Sequence, residues 1–161
     1  MYARDEAVIA TPVGAVRLVA DGDELIAVTI GRDLAAVRAK SDMLQGAARQ
    51  VEQWFAGERV TFDIALNPAA TPRGTALRDA IVSIGYGQTM TYGALAKAVT
   101  SSARAVGQAC ARNPFPLIVP CHRVLAAGGI LGAYSAGDGA STKQWLLDHE
   151  RRNLRQEQCH E

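Results

Sequence analysis

Between Asn67 and Gly74 the chain places two prolines and a glycine in eight residues, and the period of its apolar residues changes across that break. Proline fixes its own φ and offers no N–H, so neither a strand ladder nor a helix runs through such a segment undisturbed. Before it, runs with apolar residues at every second position surround one stretch at helical spacing; after it the chain turns helical. No single layer accommodates both periods, and the expectation is an α+β chain. Residues 1–70 should form a small β-sheet and helix domain. Residues 71–161 should form a mainly helical one containing a helix-turn-helix of winged-helix-like kind.

In the first part, Gly14 to Ala20 and Glu24 to Ile30 flank Asp21-Gly22-Asp23, which reads as a hairpin. Val60, Phe62, Ile64 and Leu66 suggest a further strand. Leu44, Ala48, Val51 and Phe55 trace one face of a helix, with Gly57 placed to cap its end. In the second part, Thr75, Thr91 and Ser101 or Ser102 are candidate caps of three successive helices, the last two joined closely as in a helix-turn-helix. The third of these has two faces. Val106, Ala109 and Cys110 belong inward, whereas Arg104, Gln108 and Arg112 share an outer face that suits DNA, although such a stripe is more often plain solvated surface. Asn113-Pro114 should close this helix through a left-handed Asn cap. An extended segment from Phe115, a glycine-rich loop around Tyr134 and Ser135, and a final helix capped by Ser141 or Thr142 complete the chain.

Charge is unevenly spread beneath a net value of +1. Residues 1–70 carry seven Lys or Arg against ten Asp or Glu, and residues 71–161 carry ten against six. No acidic residue occurs from Ala80 to Gly137, so a phosphate backbone meets no like charge there. Cys110, Cys121 and Cys159 make neither a disulfide framework nor a zinc pattern. No metal or cofactor is expected. With no apolar run long enough to span a bilayer and no leader-like start, the chain is expected to be cytoplasmic and away from membranes.

Reactive groups concentrate at Pro120-Cys121-His122-Arg123-Val124. A cysteine attacks as its thiolate, which a neighbouring imidazole and guanidinium favour. Adjacent side chains of an ideal strand face opposite ways, so Cys121 and His122 can communicate only through a local turn or a bridging water. Cys110, on the inward face of its helix, reads as a small hydrophobe.

These residues, preceded by Ala103-Arg104-Ala105-Val106-Gly107 and Asn113-Pro114, closely resemble the O6-alkylguanine-DNA alkyltransferase family. The resemblance extends to Tyr86-Gly87, Thr91-Tyr92-Gly93, Gly132-Ala133-Tyr134-Ser135 and Lys143 through Glu150. In the first part, Thr11-Pro12-Val13-Gly14 and Trp54-Phe55-Ala56-Gly57 are weaker cues. It implies irreversible, single-turnover transfer of an alkyl group from O6-alkylguanine in duplex DNA to Cys121, after the base is flipped out. By the same resemblance His122, held by Glu150, assists the thiolate through a water. Tyr92 turns the phosphate and protonates the departing guanine. Arg104 fills the space of the extruded base, with Ala103, Gln108, Arg112 and Arg123 as further DNA contacts. Asn113 holds the turn before the active site, and the backbone around Val119, with Tyr134 and Ser135, lines the guanine pocket. A monomer is expected, with cooperative assembly on DNA, O4-alkylthymine repair and the role of Cys159 left open.

Two positions depart from the family's pattern. Ala136 stands where members often have glycine, which should narrow the pocket or stiffen its loop, and Ile84-Gly85-Tyr86 lacks the usual proline. Three other readings compete. An alkyltransferase-like protein that only binds lesions would lack the acceptor, which Cys121 supplies. A transcription regulator would need a further domain, and a Cys-His hydrolase an oxyanion site.

Overall fold

The computed structural model describes residues 4–159, with side chains through Leu154. It divides into two compact units, one ending at Asn67 and the other starting at Pro68. The break falls ahead of the first proline, three residues earlier than residue 70.

The first unit is a three-stranded antiparallel sheet in the order β1 (Arg4–Thr11), β2 (Gly14–Asp21), β3 (Glu24–Gly31), followed by helix α1 (Asp42–Phe55). Both hairpins are tight. Gly14 sits at φ +112°, and a Cβ there would meet the Gly31 carbonyl oxygen at 2.8 Å, so the Thr11–Gly14 turn requires glycine. Along β2, Val16, Leu18 and Ala20 are buried while Arg17 and Val19 are less so, and α1 packs on the sheet through Leu44, Ala47, Ala48, Val51 and Trp54. Ser41 caps α1, and Gly57 at φ +78° ends it, donating to the Trp54 carbonyl. Asp5 pins the approach to α1 by accepting from the Lys40 and Ser41 N–H groups. Burial raises its pKa, but those donors outweigh burial and hold it at about 2.

The expected strand over Val60–Leu66 does not form. Only Leu66 makes a bridge, to Leu25, and the alternating side chains lie along an irregular extended segment. Period two records which side chains turn inward, and a partner edge is needed as well to make a strand.

The second unit contains α2 (Pro72–Val82), β4 (Met90–Thr91), α3 (Tyr92–Ala98), α4 (Ala103–Ala111), a 3-10 turn at Cys121–Arg123, β5 (Val124–Leu125), a short turn at Ala127–Gly129, and α5 (Ala140–Cys159). Helix α2 starts a turn earlier than Thr75 would cap it: Thr71 accepts from Gly74 N and Pro72 occupies the first turn, where its missing N–H costs nothing. Thr91 and Ser102 cap α3 and α4, and these two helices pack together as a helix-turn-helix through Leu95, Ala96 and Val106. Helix α5 begins at Ala140, just before the expected caps. Thr142 instead turns its hydroxyl back to accept from Asp138 N. Among the described residues no helix is long and apolar enough to cross a membrane.

A candidate active site around Cys121

Helix α4 ends at Ala111 with Arg112 as its cap, and Asn113 is not left-handed. Its side chain does the work instead. Oδ1 accepts from Phe115 N at 3.0 Å, while Nδ2 donates to the Val119 carbonyl at 3.0 Å and reaches Cys121 Sγ at 3.3 Å. One amide thus spans both ends of the loop that delivers the cysteine. Within that loop Leu117 adopts φ +77°, and Val119 N–H closes onto the Phe115 carbonyl. Left-handed backbone costs a non-glycine residue roughly 1–2 kcal/mol. Burial of the Leu117 side chain and of its neighbours Phe115, Ile118 and Val119 offsets that cost.

The 3-10 turn resolves the problem of facing directions, because Cys121, His122 and Arg123 are all buried yet diverge. Cys121 faces a cleft of about 140 Å³ lined by Tyr92, Gly107, Cys110, Ala111, Ala133, Tyr134 and Ser135. That is well below the ~300–1,000 Å³ of sites for larger ligands, and it leaves room for one small ring system. Contact with Cys110 and burial hold the Cys121 thiol far above the usual cysteine range, against the Asn113 donor and the positive charge of Lys143.

His122 turns the other way. Its Nε2 lies 2.7 Å from Glu150 Oε2, both side chains being fully buried. Burial lowers the His122 pKa more than Glu150 raises it, so the ring is neutral. Since an ionised carboxylate only accepts, Nε2 carries the proton and Nδ1 is the basic nitrogen. Burial alone would raise Glu150, but His122 and Arg123 bring it down to about 2. It also accepts from Gly87 N at 2.9 Å and from Arg123 Nε and Nη2 at 2.9–3.1 Å. Arg123 Nη1 donates to the Ile84 carbonyl at 2.7 Å.

Lys143, 0% exposed, completes the site from α5. Its ammonium donates to the carbonyls of Val124 at 2.7 Å and Ala133 at 3.2 Å, and lies 5.9 Å from the centre of the Tyr92 ring. It ties the strand after the cysteine to the loop that closes the cleft. Burial lowers its pKa while both cysteines raise it.

Residues 74–152 match the model of the 6-O-methylguanine DNA methyltransferase DNA-binding domain, and residues 6–68 that of the same protein's ribonuclease-like domain. A methylated-DNA–protein-cysteine methyltransferase of Methanosarcina acetivorans is 36% identical over 152 residues, 89% of this chain and 96% of the relative. The chain belongs to the 6-O-methylguanine DNA methyltransferase family. The constitutive family member of Bacillus subtilis is 42% identical over 110 residues, covering 67% of this chain and 66% of its own. Among solved structures, the Mycobacterium tuberculosis O6-methylguanine methyltransferase aligns at 30% identity and a TM-score of 0.78, covering 94% of each chain. Its complex with DNA aligns at 33% and 0.78, covering 92% and 93%.

Against the residues that the family resemblance nominates, the fold brings Cys121, Tyr92, Tyr134 and Ser135 to one cleft, and His122 to Glu150. Ala103, Arg104, Gln108 and Arg112 are exposed on α4, opposite the buried Val106 and Cys110. Arg123 is not available for DNA: it is 7% exposed and serves as the counter-ion of buried Glu150. Val119 does not line the cleft either, since its carbonyl is engaged by Asn113 and its side chain borders a separate groove with Ala109 and Pro114. Ala136 is buried outside the cleft lining, so its extra methyl does not narrow that cleft. Cys110 and Lys143 were missed as site residues. Only the helical phase of Cys110, one turn after Val106 and facing inward, pointed to the interior, and nothing in spacing alone distinguished a cleft from a core.

Proposed function

We propose that this family member repairs O6-alkylguanine in duplex DNA by moving the alkyl group onto Cys121. The observation that carries the reading is the position of Cys121 on a cleft fit for one base, beside a helix-turn-helix whose second helix turns Arg104, Gln108 and Arg112 outward. The relatives' names supply the reaction, and a DNA complex is known for one of them.

A thiol cannot reach an O6 substituent within a stacked duplex, so the base must leave the helix. Arg104, exposed in the first turn of α4, is the residue suited to occupy the vacated space, and Ala103 beside it lets the helix approach closely. Tyr92 and Ser135 flank the entering base, and Tyr134 covers it. Burial first, and then any negative charge on the neighbouring cysteines, raises the Tyr92 pKa, so its phenol stays protonated and able to donate to the leaving purine. Neutral His122, fixed by Glu150 through Nε2, keeps Nδ1 as its basic nitrogen and can take the Cys121 proton through a bridging water. The electron pair of the Cys121 sulfur forms the new carbon–sulfur bond, the carbon–O6 bond breaks, and guanine returns to the duplex.

Incubation with a duplex oligonucleotide carrying one O6-methylguanine tests this directly. Peptide mass mapping should find a single methyl group on Cys121. Cys121→Ala should bind the same DNA and remain unmethylated; a methyl group on any other residue of that variant would reject the assignment.

A further inference from the structure

Glu150 holds His122 through Oε2, and its own aim depends on what holds Oε1. That oxygen accepts from Gly87 N at 2.9 Å, a donor on the turn between α2 and β4. At the start of the same turn the Ile84 carbonyl accepts from Arg123 Nη1 at 2.7 Å. One turn thus serves both the carboxylate and its counter-ion. It closes on itself through Gln88 N–H and the Gly85 carbonyl, which fixes its shape but not its place against Glu150. We propose that Asn153, through the Tyr86 hydroxyl, is a positioning residue for alkyl transfer: it clamps the Tyr86-Gly87 turn to α5, so that the Gly87 N–H keeps Glu150 aimed at His122. The inference rests on the alkyl-transfer reading and names residues that act within it.

The contacts between turn and helix are specific. Asn153 Nδ2 donates to the Tyr86 hydroxyl oxygen at 3.0 Å and lies 3.1 Å from His149 Nε2, one turn back on α5. An amide nitrogen carries two protons, so it serves both partners, and His149 accepts at Nε2. The Tyr86 ring meets Arg123, whose guanidinium lies 5.7 Å from the ring centre. Gly87, at φ +77°, runs so close to α5 that a Cβ there would meet Leu154 Cδ1 at 1.9 Å. Asn153 and Glu150 stand on the same helix, so the turn is fastened to the element that carries the carboxylate it serves.

The consequence for the reaction runs through the imidazole. Glu150 Oε2 accepts the His122 Nε2 proton at 2.7 Å, and that bond is what leaves Nδ1 basic. With the Gly87 donor displaced, the carboxylate is free to turn toward Arg123, whose Nε and Nη2 already reach it, and His122 loses its fixed tautomer. The charged groups facing His122 are Glu150 and Lys143 from α5 and Arg123 from the 3-10 turn, and those facing Asn153 are the titratable Tyr86 and His149. Asn153 does not line the cleft, so its loss leaves the sulfur and the base site in place.

The test compares, in the full chain, Tyr86→Phe, which removes one oxygen and keeps the ring, with Asn153→Ala and with the double variant. Single-turnover transfer from saturating duplex DNA containing one O6-methylguanine is followed from about pH 6 to about pH 9.5, and imidazole nitrogen NMR shifts read the His122 tautomer. Each single variant should slow transfer about tenfold at neutral pH and little at alkaline pH, where the thiol ionises without a base. The double variant should be no slower than Asn153→Ala, because the two residues share one hydrogen bond. The His122 ring should pass from the Nε2–H form to a mixture of both tautomers. The inference is overturned if Tyr86→Phe keeps the parent's rate at neutral pH, if it loses one factor at every pH, if the two substitutions add, or if the tautomer is unchanged. Tyr86→Phe decides alone where Asn153→Ala does not fold. A parent that leaves Cys121 unmethylated overturns the functional reading itself, and this inference with it.

Discussion

Arg123 illustrates how a residue's chemistry depends on which side of a turn it falls. In the sequence it stands beside the cysteine in a stretch without acidic residues, and the natural inference is a phosphate contact. The fold turns it inward against Glu150, 27 positions along the chain, a partner that no local pattern announces. Its loss should therefore register in stability: Arg123→Met leaves the Glu150 carboxylate buried without its counter-ion, which costs about 3–5 kcal/mol. Thermal unfolding of that variant should show a large fall, whereas Arg112→Ala should leave unfolding nearly unchanged and reduce the salt dependence of DNA binding by about one phosphate contact. The reverse pattern would restore Arg123 to the DNA surface. The same cluster sets a pH dependence. His122 and Glu150 both have pKa values below their ordinary 6.5 and 4.5, so the unfolded chain binds protons that the folded chain refuses, and stability falls as pH falls. The decline should begin below about pH 6.5 with His122 and steepen below about 4.5 with Glu150. A melting temperature flat from neutral pH to about pH 5 would mean that His122 is charged in the folded protein. Cys121, His122, Glu150, Tyr92, Tyr134 and Ser135 were legible because the family's motif carries them together. Arg123 was not, since its role depends on the buried partner it meets, nor was the place of Cys110 on the cleft lining.

At the level of elements, what the sequence revealed best was local chemistry. The Asp21-Gly22-Asp23 hairpin, the α1 face and the Thr91 and Ser102 caps all depend on neighbours within a few residues. What stayed hidden depended on distant partners: the Val60–Leu66 segment meets the edge of β3 at Leu25 alone, and β1 contains too few regular alternations to declare itself before β2 is there to pair with it. Helix α4 shows an element serving two demands. Gly107 lies in its middle, where glycine costs roughly 1 kcal/mol against alanine, and a Cβ there would meet nothing within 4 Å. Packing does not require this glycine, but it lines the cleft that receives the base. Gly107→Ala should accordingly stabilise the protein by about 0.5–1 kcal/mol while slowing transfer from duplex DNA, because the added methyl group meets the entering nucleotide. Unfolding by denaturant and transfer kinetics on the one variant check both halves. A variant that gained stability and kept its full rate would place the base elsewhere in the cleft.

For the whole molecule, the chemistry of the product decides how the protein behaves as a reagent. A thiolate that attacks an acyl carbon forms a thioester, which water can open; a thiolate that takes an alkyl group forms a thioether, with no acyl carbon and no good leaving group. Nothing in the cleft offers a second route: its lining consists of Tyr92, Tyr134, Ser135, the two cysteines and small residues, and among the described residues no cluster of His, Cys, Asp or Glu is placed to hold a metal ion. Lys143, the cation acting on the cleft sulfurs, has its ammonium committed to two carbonyls. The alkyl group also lands in a space of about 140 Å³ that the next base would need. Each molecule should therefore react once. With methylated duplex in excess, repaired DNA should rise in a single phase to one equivalent per active protein and stop, with a plateau proportional to protein and independent of further lesion. Adding fresh protein should start a second phase of the same height. A slow linear rise after the first equivalent would mean that the thioether is being cleaved, and would require a nucleophile that this cleft does not present.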